Sequence, residues 1–167
     1  MGGRGDPCAD DDRTTQAAAL TYTSAPFPKA TTIAGPIDAT LNLSSNRPDA
    51  ELVASVDVVA PDGSSRPLGT GALLGSLRAL TPGAVEPLAV EVFPAVARIA
   101  PGERVRLTVT SGDTALQPST VQVARLVGGV YSIQRGGQHA SAVTLPMTAA
   151  NGLHTSRIDW GGCNGSC

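Results

Sequence analysis

From Leu20 onward the chain is written in short runs that alternate apolar and polar residues, and each run ends at a Gly or Pro turn. A strand sends successive side chains to opposite faces, so an apolar residue at every second position marks a strand with one face on a core. Ile37, Ala39, Leu41 and Leu43 share one face, with Asp38, Thr40 and Asn42 on the other. Leu88, Val90 and Val92 alternate with Ala89, Glu91 and Phe93. Val105, Leu107 and Val109 alternate with Arg104, Arg106 and Thr108. Leu52 to Val59 is a mainly β-branched run that leads to Pro61-Asp62-Gly63. In that turn Pro presets φ and Gly supplies a positive φ. Leu68 to Leu77 reads as a strand broken by glycines, Pro101-Gly102 as another turn, and 142–147 as a last strand. This punctuation is incompatible with long helices or a βαβ rhythm, and it predicts an antiparallel β-sandwich.

Two stretches read differently. Ser119-Thr-Val-Gln122 fits a capping box, with Gly128-Gly129 as a stop, and predicts a short helix, although Val121, Val123 and Arg125 alternate as a strand would. Residues 1–19, rich in Gly and Asp, read as a flexible lead-in, and 148–167 as a Gly-rich tail. Asp10-Asp11-Asp12 lacks the alternating Asp-x-Asp-x-Asp-Gly spacing that wraps calcium. Arg4-Gly5-Asp6 is read as a chance tripeptide, and so are the acceptor patterns at Asn42 and Asn164.

Composition removes several function classes. At 167 residues the chain has the size of one domain. Its formal net charge of -2 offers no footprint for nucleic acid or anionic lipid. Lys29 is the only lysine, and no apolar run is long enough to span a membrane. The aromatic residues are Tyr22, Phe27, Phe93, Tyr131 and Trp160, too few for base stacking and a thin basis for a sugar platform. The start of the chain has no apolar signal-peptide core. Cys8, Cys163 and Cys167 make an odd count that fits no zinc spacing. Cys163 and Cys167, three residues apart in a Gly-rich tail, are the candidate disulfide pair, with Cys8 as another partner, and such a bond would fit an exported protein.

A serine hydrolase needs its nucleophile on a tight elbow, Gly-x-Ser-x-Gly, and the chain has none. His139, in Gly136-Gly-Gln-His-Ala, and His154, in the tail, have no recognisable nucleophile partner. The sequence offers no catalytic residue, no metal-ligand set, and no Gly-rich phosphate loop for a cofactor.

The order of segments says more. Leu20-Thr-Tyr-Thr-Ser-Ala-Pro, Ile33-Ala-Gly-Pro-Ile, Leu41-Asn-Leu-Ser-Ser and Asp57-Val-Val-Ala-Pro-Asp-Gly63 follow one another. Then come Gly71-Ala-Leu-Leu-Gly-Ser-Leu-Arg78, Pro101-Gly-Glu-Arg-Val-Arg-Leu-Thr-Val-Thr-Ser111, Gly128-Gly-Val-Tyr-Ser-Ile-Gln-Arg-Gly-Gly137 and Ser141-Ala-Val-Thr-Leu-Pro146. In this order they resemble the C-terminal domain of the X-prolyl dipeptidyl-peptidase and cocaine-esterase-like (acyl esterase) serine hydrolases, over residues 8 to 147. The resemblance implies a jelly-roll, galactose-binding-like β-sandwich over 20–147 that is incomplete at its N-terminal side. It also implies an α/β-hydrolase catalytic domain as partner, in cis or in trans, against which this domain packs and whose substrate pocket it helps to wall. The parent protein would be secreted. No catalytic residue of the family maps here. Arg78, Asp113 and Tyr131 belong to the matched motifs and read as structural. Glu103 stands where the family has His. The alternative is an independent carbohydrate- or ligand-binding sandwich, which would show exposed aromatics on one sheet face or loop rim. A severed domain would show an apolar, unclosed sheet edge.

Overall fold

The computed structural model describes residues 11–74, 79–111 and 127–149. They form two antiparallel sheets packed face to face. One sheet has the order β1 (Leu20–Thr23), β6 (Arg104–Thr110), β3 (Glu51–Val59), β4 (Ser65–Leu74). The other has β5 (Val85–Ile99) beside β2 (Thr31–Ser45), and three short pieces line the far edge of β2: β7 (Tyr131–Ile133), β8 (Ala142–Thr144) and β9 (Met147–Ala149). The pairs are nested. The β3–β4 hairpin lies inside the β2–β5 pair, which lies inside the β1–β6 pair. This is a rolled-up antiparallel ribbon, the jelly-roll form of the expected all-β sandwich.

The inward residues are those that the period-two reading selects. Ile37, Ala39 and Leu41 on β2, and Ala54 and Val56 on β3, are wholly buried, and Val92 and Ile99 on β5 join them in one core. Burying each of the larger aliphatic side chains contributes roughly 1.5–3 kcal/mol. β3 has eight of its nine residues buried, because both of its faces are covered, and its sequence is accordingly apolar nearly throughout rather than alternating.

Several strands exceed their sequence reading. β2 runs as one strand from Thr31, ahead of the alternating set that begins at Ile37. β5 continues through Pro94 to Ile99. It does so by a bulge: between Val92 and Ala95 it advances three residues where β2 advances two, Gly35 to Ile37. The extra residue moves the inward set of β5 from even to odd positions and leaves Phe93 75% exposed. The expected last strand, 142–147, is two pieces, because Pro146 cannot donate to a ladder. The predicted helix from Ser119 falls mostly outside the described residues, as do Arg78, Asp113, His154 and all three cysteines, including the candidate pair Cys163 and Cys167.

The segment read as a lead-in behaves otherwise where it is described. Arg13–Gln16 make one helical turn, α1, set against β4 and β6. The Gln16 side chain is buried, donates to Ser65 Oγ at 2.8 Å and accepts from Arg106 at 2.6 Å. Asp11 accepts from the Ser65 N–H at 3.1 Å. Side chains reaching about fifty residues along the chain create this order, and composition does not report them.

One side of the sandwich is pinched shut. β4 of one sheet crosses β5 of the other, and a Cβ on Gly69 would lie 2.7 Å from the Phe93 carbonyl oxygen. A Cβ on Gly71 would collide with the Glu91 carbonyl oxygen. Backbone atoms, not the flexible end of a side chain, fill that space, so the clash cannot be relieved locally. Gly71→Ala is expected to destabilise the fold by about 3 kcal/mol or more, at or beyond the upper end of ordinary overpacking. Gly63→Ala, a turn site with positive φ and open space around it, is expected to cost about 1 kcal/mol. Urea titration of both variants checks the ranking.

Candidate functional site: an open apolar groove

The side opposite the pinch is open. One sheet contributes four strands, while the other offers β5, β2 and the broken row β7–β9. A row of pieces three residues long cannot roof the inner face of β1 and β6. A cavity of about 560 Å³ results, between Tyr22, Val105 and Leu107 on one wall and Val143, Leu145 and Met147 on the other. Leu41 and Val56, otherwise core residues, line it as well. A second hollow of about 410 Å³ lies toward the other end of β1, between Leu20 and Val109 and the β7 residues Tyr131 and Ile133. Met147 and Leu20 are half exposed, so apolar surface continues to the rim.

The register of the strands sets this geometry. Tyr22 pairs with Leu107 and Leu20 with Val109, which aligns β1 along β6 with one edge free. β7, β8 and β9 pair with Ser45–Leu43, Thr40–Asp38 and Ile33–Thr31 respectively, so they run stepwise along β2, and among the described residues no strand lies beyond their outer edge. Asn42 fixes this row: its side chain donates to the Ala140 carbonyl at 2.9 Å, and its N–H donates to Ser141 Oγ at 2.9 Å. The amide of Asn42 is thereby engaged within the fold rather than presented as a glycan acceptor. At the other rim, Arg104 donates to the Ser24 carbonyl and Ser24 Oγ accepts from the Val105 N–H. Two free edges flanking an apolar slot are suited to holding an extended segment, through backbone hydrogen bonds and buried side chains.

Among the described residues the titratable side chains form no cluster of metal-ligating groups. His139 ends a single 3-10 turn, Gly137–His139, and is exposed. Among the described residues no hydrogen bond links it to a serine, and no group of three metal-ligating side chains is present. Tyr131, read as structural, packs against the core with its hydroxyl buried, and burial pushes its pKa up, with Asp49 and Glu51 adding to the effect. Glu103, at the position of the family's His, accepts the Ala100 N–H at 2.6 Å and closes the Pro101-Gly102 turn. No helix among the described residues is long and apolar enough to cross a membrane.

The described residues thus form a jelly-roll sandwich with a packed core, a pinched side and an open apolar side. Its sequence matches, over residues 6–144, the family described as the X-Pro dipeptidyl-peptidase C-terminal non-catalytic domain, and the chain belongs to that family. No curated protein matches it by sequence. The fold is shared with solved hydrolases. An aminopeptidase from a marine sediment Thaumarchaeota archaeon superimposes with a TM-score of 0.74 at 20% identity, over 84% of this chain and 28% of that one. An α-amino acid ester hydrolase does so with a TM-score of 0.72 at 20% identity, over 83% of this chain and 27% of that one. A CocE/NonD family hydrolase from Staphylococcus aureus gives 0.62 at 16% identity, over 80% and 31%. The chain thus spans less than a third of the length of each of these structures.

An open apolar side left unfilled is expected to self-associate. Sedimentation velocity should show a concentration-dependent shift to heavier species. Val143→Lys, which sets a charge in the slot at a partly exposed site, should restore the monomer. A wild-type chain that stays monomeric across the same concentrations would mean that the slot is not a contact surface.

Proposed function

We propose that this chain is the accessory sandwich of an X-Pro dipeptidyl-peptidase or acyl-esterase type serine hydrolase. It packs on an α/β-hydrolase catalytic domain, supplied in cis or in trans, and helps to wall that domain's substrate pocket. The observation that carries this reading is the open slot between β1–β6 and β7–β9 in a chain that belongs to a non-catalytic domain family. We assign the slot to an extended segment of the catalytic chain. Such a segment would pair with the free edge of the β7–β9 row and set apolar side chains against Tyr22, Leu107 and Val143, giving the short-stranded sheet its fourth member. The parent reaction would be acyl transfer to water through an acyl-enzyme, with nucleophile and base both on the catalytic domain. An exported parent is part of the proposal, supported by the close spacing of Cys163 and Cys167.

An independent sugar-binding role draws no support from the described residues. Tyr22, Phe27 and Tyr131 pack against the core, and Phe93 is the exposed aromatic, so the described surface has no aromatic platform.

Two measurements test the assignment. The chain alone is expected to turn over neither a Gly-Pro-linked chromogenic amide nor a short acyl ester. Turnover that disappears in His139→Ala would overturn the accessory reading. Mixed with a family catalytic domain lacking its own sandwich, the chain is expected to raise that domain's melting temperature. Leu145→Asp, a charge placed in the slot, should abolish the effect, whereas Phe93→Ser on the opposite side should leave it intact. Equal stabilisation by wild type and Leu145→Asp would move the docking surface elsewhere.

A further inference from the structure

The outer face of the four-stranded sheet holds a buried carboxyl whose position calls for a role. Asp57 sits in the middle of β3 with 0% exposure, inside an otherwise apolar run. Its Oδ2 accepts from Thr108 Oγ1 on β6 at a long 3.4 Å, and its Oδ1 has no donor. The group facing it from the N-terminal segment is a second carboxyl, Asp12, within hydrogen-bonding reach. Two ionised carboxylates cannot bond to each other, whereas one protonated carboxyl donates to its neighbour. Burial first, and Asp12 second, push the Asp57 pKa up to about 7, against the smaller opposing effects of Thr108 and Arg106.

The surrounding charges do not cancel the conflict. From β6, Arg106 is the one cation that lowers the Asp57 pKa, but its guanidinium is committed to Gln16 at 2.6 Å and to Thr23 at 2.9 Å. From the segment itself, Arg13 is committed to Asp11 at 2.7 Å. From β4, Ser65 bonds Gln16, while the Arg66 guanidinium reaches the Arg98 carbonyl on β5. The segment carrying Asp12 is therefore held on the sheet by Gln16, by the Asp11–Ser65 contact, by the Asp12 N–H, which donates to the Ser65 carbonyl at 3.1 Å, and by whatever joins Asp12 to Asp57.

We propose that Asp57 and Asp12 share one proton, and that this proton latches the segment from Asp11 to Ala19 onto the four-stranded sheet, so that the hold on the segment weakens as pH rises from the acid range to neutral. A carboxyl whose pKa is raised by folding binds its proton more tightly in the docked state. The stabilisation is complete below the free-carboxyl range and is lost as pH rises through the docked value. With docked Asp57 near 7, the loss runs from the free-carboxyl range, about pH 4, up to about pH 7 and levels off above it. There the docking constant should fall by up to about tenfold per pH unit. Asp57→Asn presents an N–H to Asp12 at every pH and copies the protonated form.

The test is amide exchange on the full chain at about pH 5 and about pH 7.5, corrected for intrinsic rates. The Gln16 and Ala19 N–H groups, which donate to Asp12 and Gln16 carbonyls, report the segment. Their protection is expected to drop more than tenfold at the higher pH while that of the β3 and β6 amides holds. In Asp57→Asn it is expected to stay constant. Equal protection of Gln16 and Ala19 at both pH values in the wild type would overturn the latch. Should Asp57→Asn fail to fold, carboxyl NMR of the wild type decides alone: an aspartate titrating near neutral pH supports the shared proton, and none above about pH 5 refutes it.

Discussion

The backbone of β4 crosses that of β5 at contact distance, and it can do so only because Gly69 and Gly71 carry no side chain. This close approach settles which side of the sandwich is shut. Two sheets normally stand about 10 Å apart with side chains between them. Drawing one pair of edges together leaves the opposite pair apart. The core strands β2 and β3 are packed on both flanks near the pinch, while the inner face of β1 and β6 meets only the short pieces β7, β8 and β9. The slot follows from the pinch together with the unequal strand count of the two sheets.

Family membership and the slot bear on each other. A domain described as non-catalytic must act through what it touches. The described residues supply no nucleophile, base or metal set, but they do supply an apolar channel bordered by unpaired backbone. Such a channel reads extended chain by main-chain pairing and discriminates by pocket shape. The fold shared with longer hydrolases shows the architecture alone and carries no substrate with it.

The parts of the fold legible in the sequence are those set by local alternation. Ile37 to Leu43 and Leu88 to Val92 show period two because one face is wet, whereas Val105 to Val109 shows it because its second face is polar, with Thr108 itself buried. Leu52 to Val59 shows none because both faces are dry. The glycines after Leu68 were visible as interruptions of a strand, but their cause lies on β5, some twenty residues away. The slot was foreseen only as an unclosed edge, since its position depends on how many strands each sheet collects. Asp11, Asp12 and Gln16 read as solvated residues because no alternating apolar pattern runs through their stretch. The signal that could have found them is Asp57: a lone acid within Leu52–Val59 has to be met by a polar partner from somewhere, and the nearest unassigned polar stretch is the N-terminal one.

The edges of the shut side carry prolines. Pro67 lies on β4, and Pro87 and Pro94 lie on β5. A proline has no N–H to offer an incoming strand, so these edges resist lengthening by another chain. The edges of β1 and of the β7–β9 row lie together on the other side. Pairing between copies is thereby confined to one face of the molecule. Among the described residues, two copies that met through that face would satisfy each other and leave no second unpaired edge. Such a contact is isologous and closes at a dimer, whereas a sandwich sticky on both sides would grow into a filament.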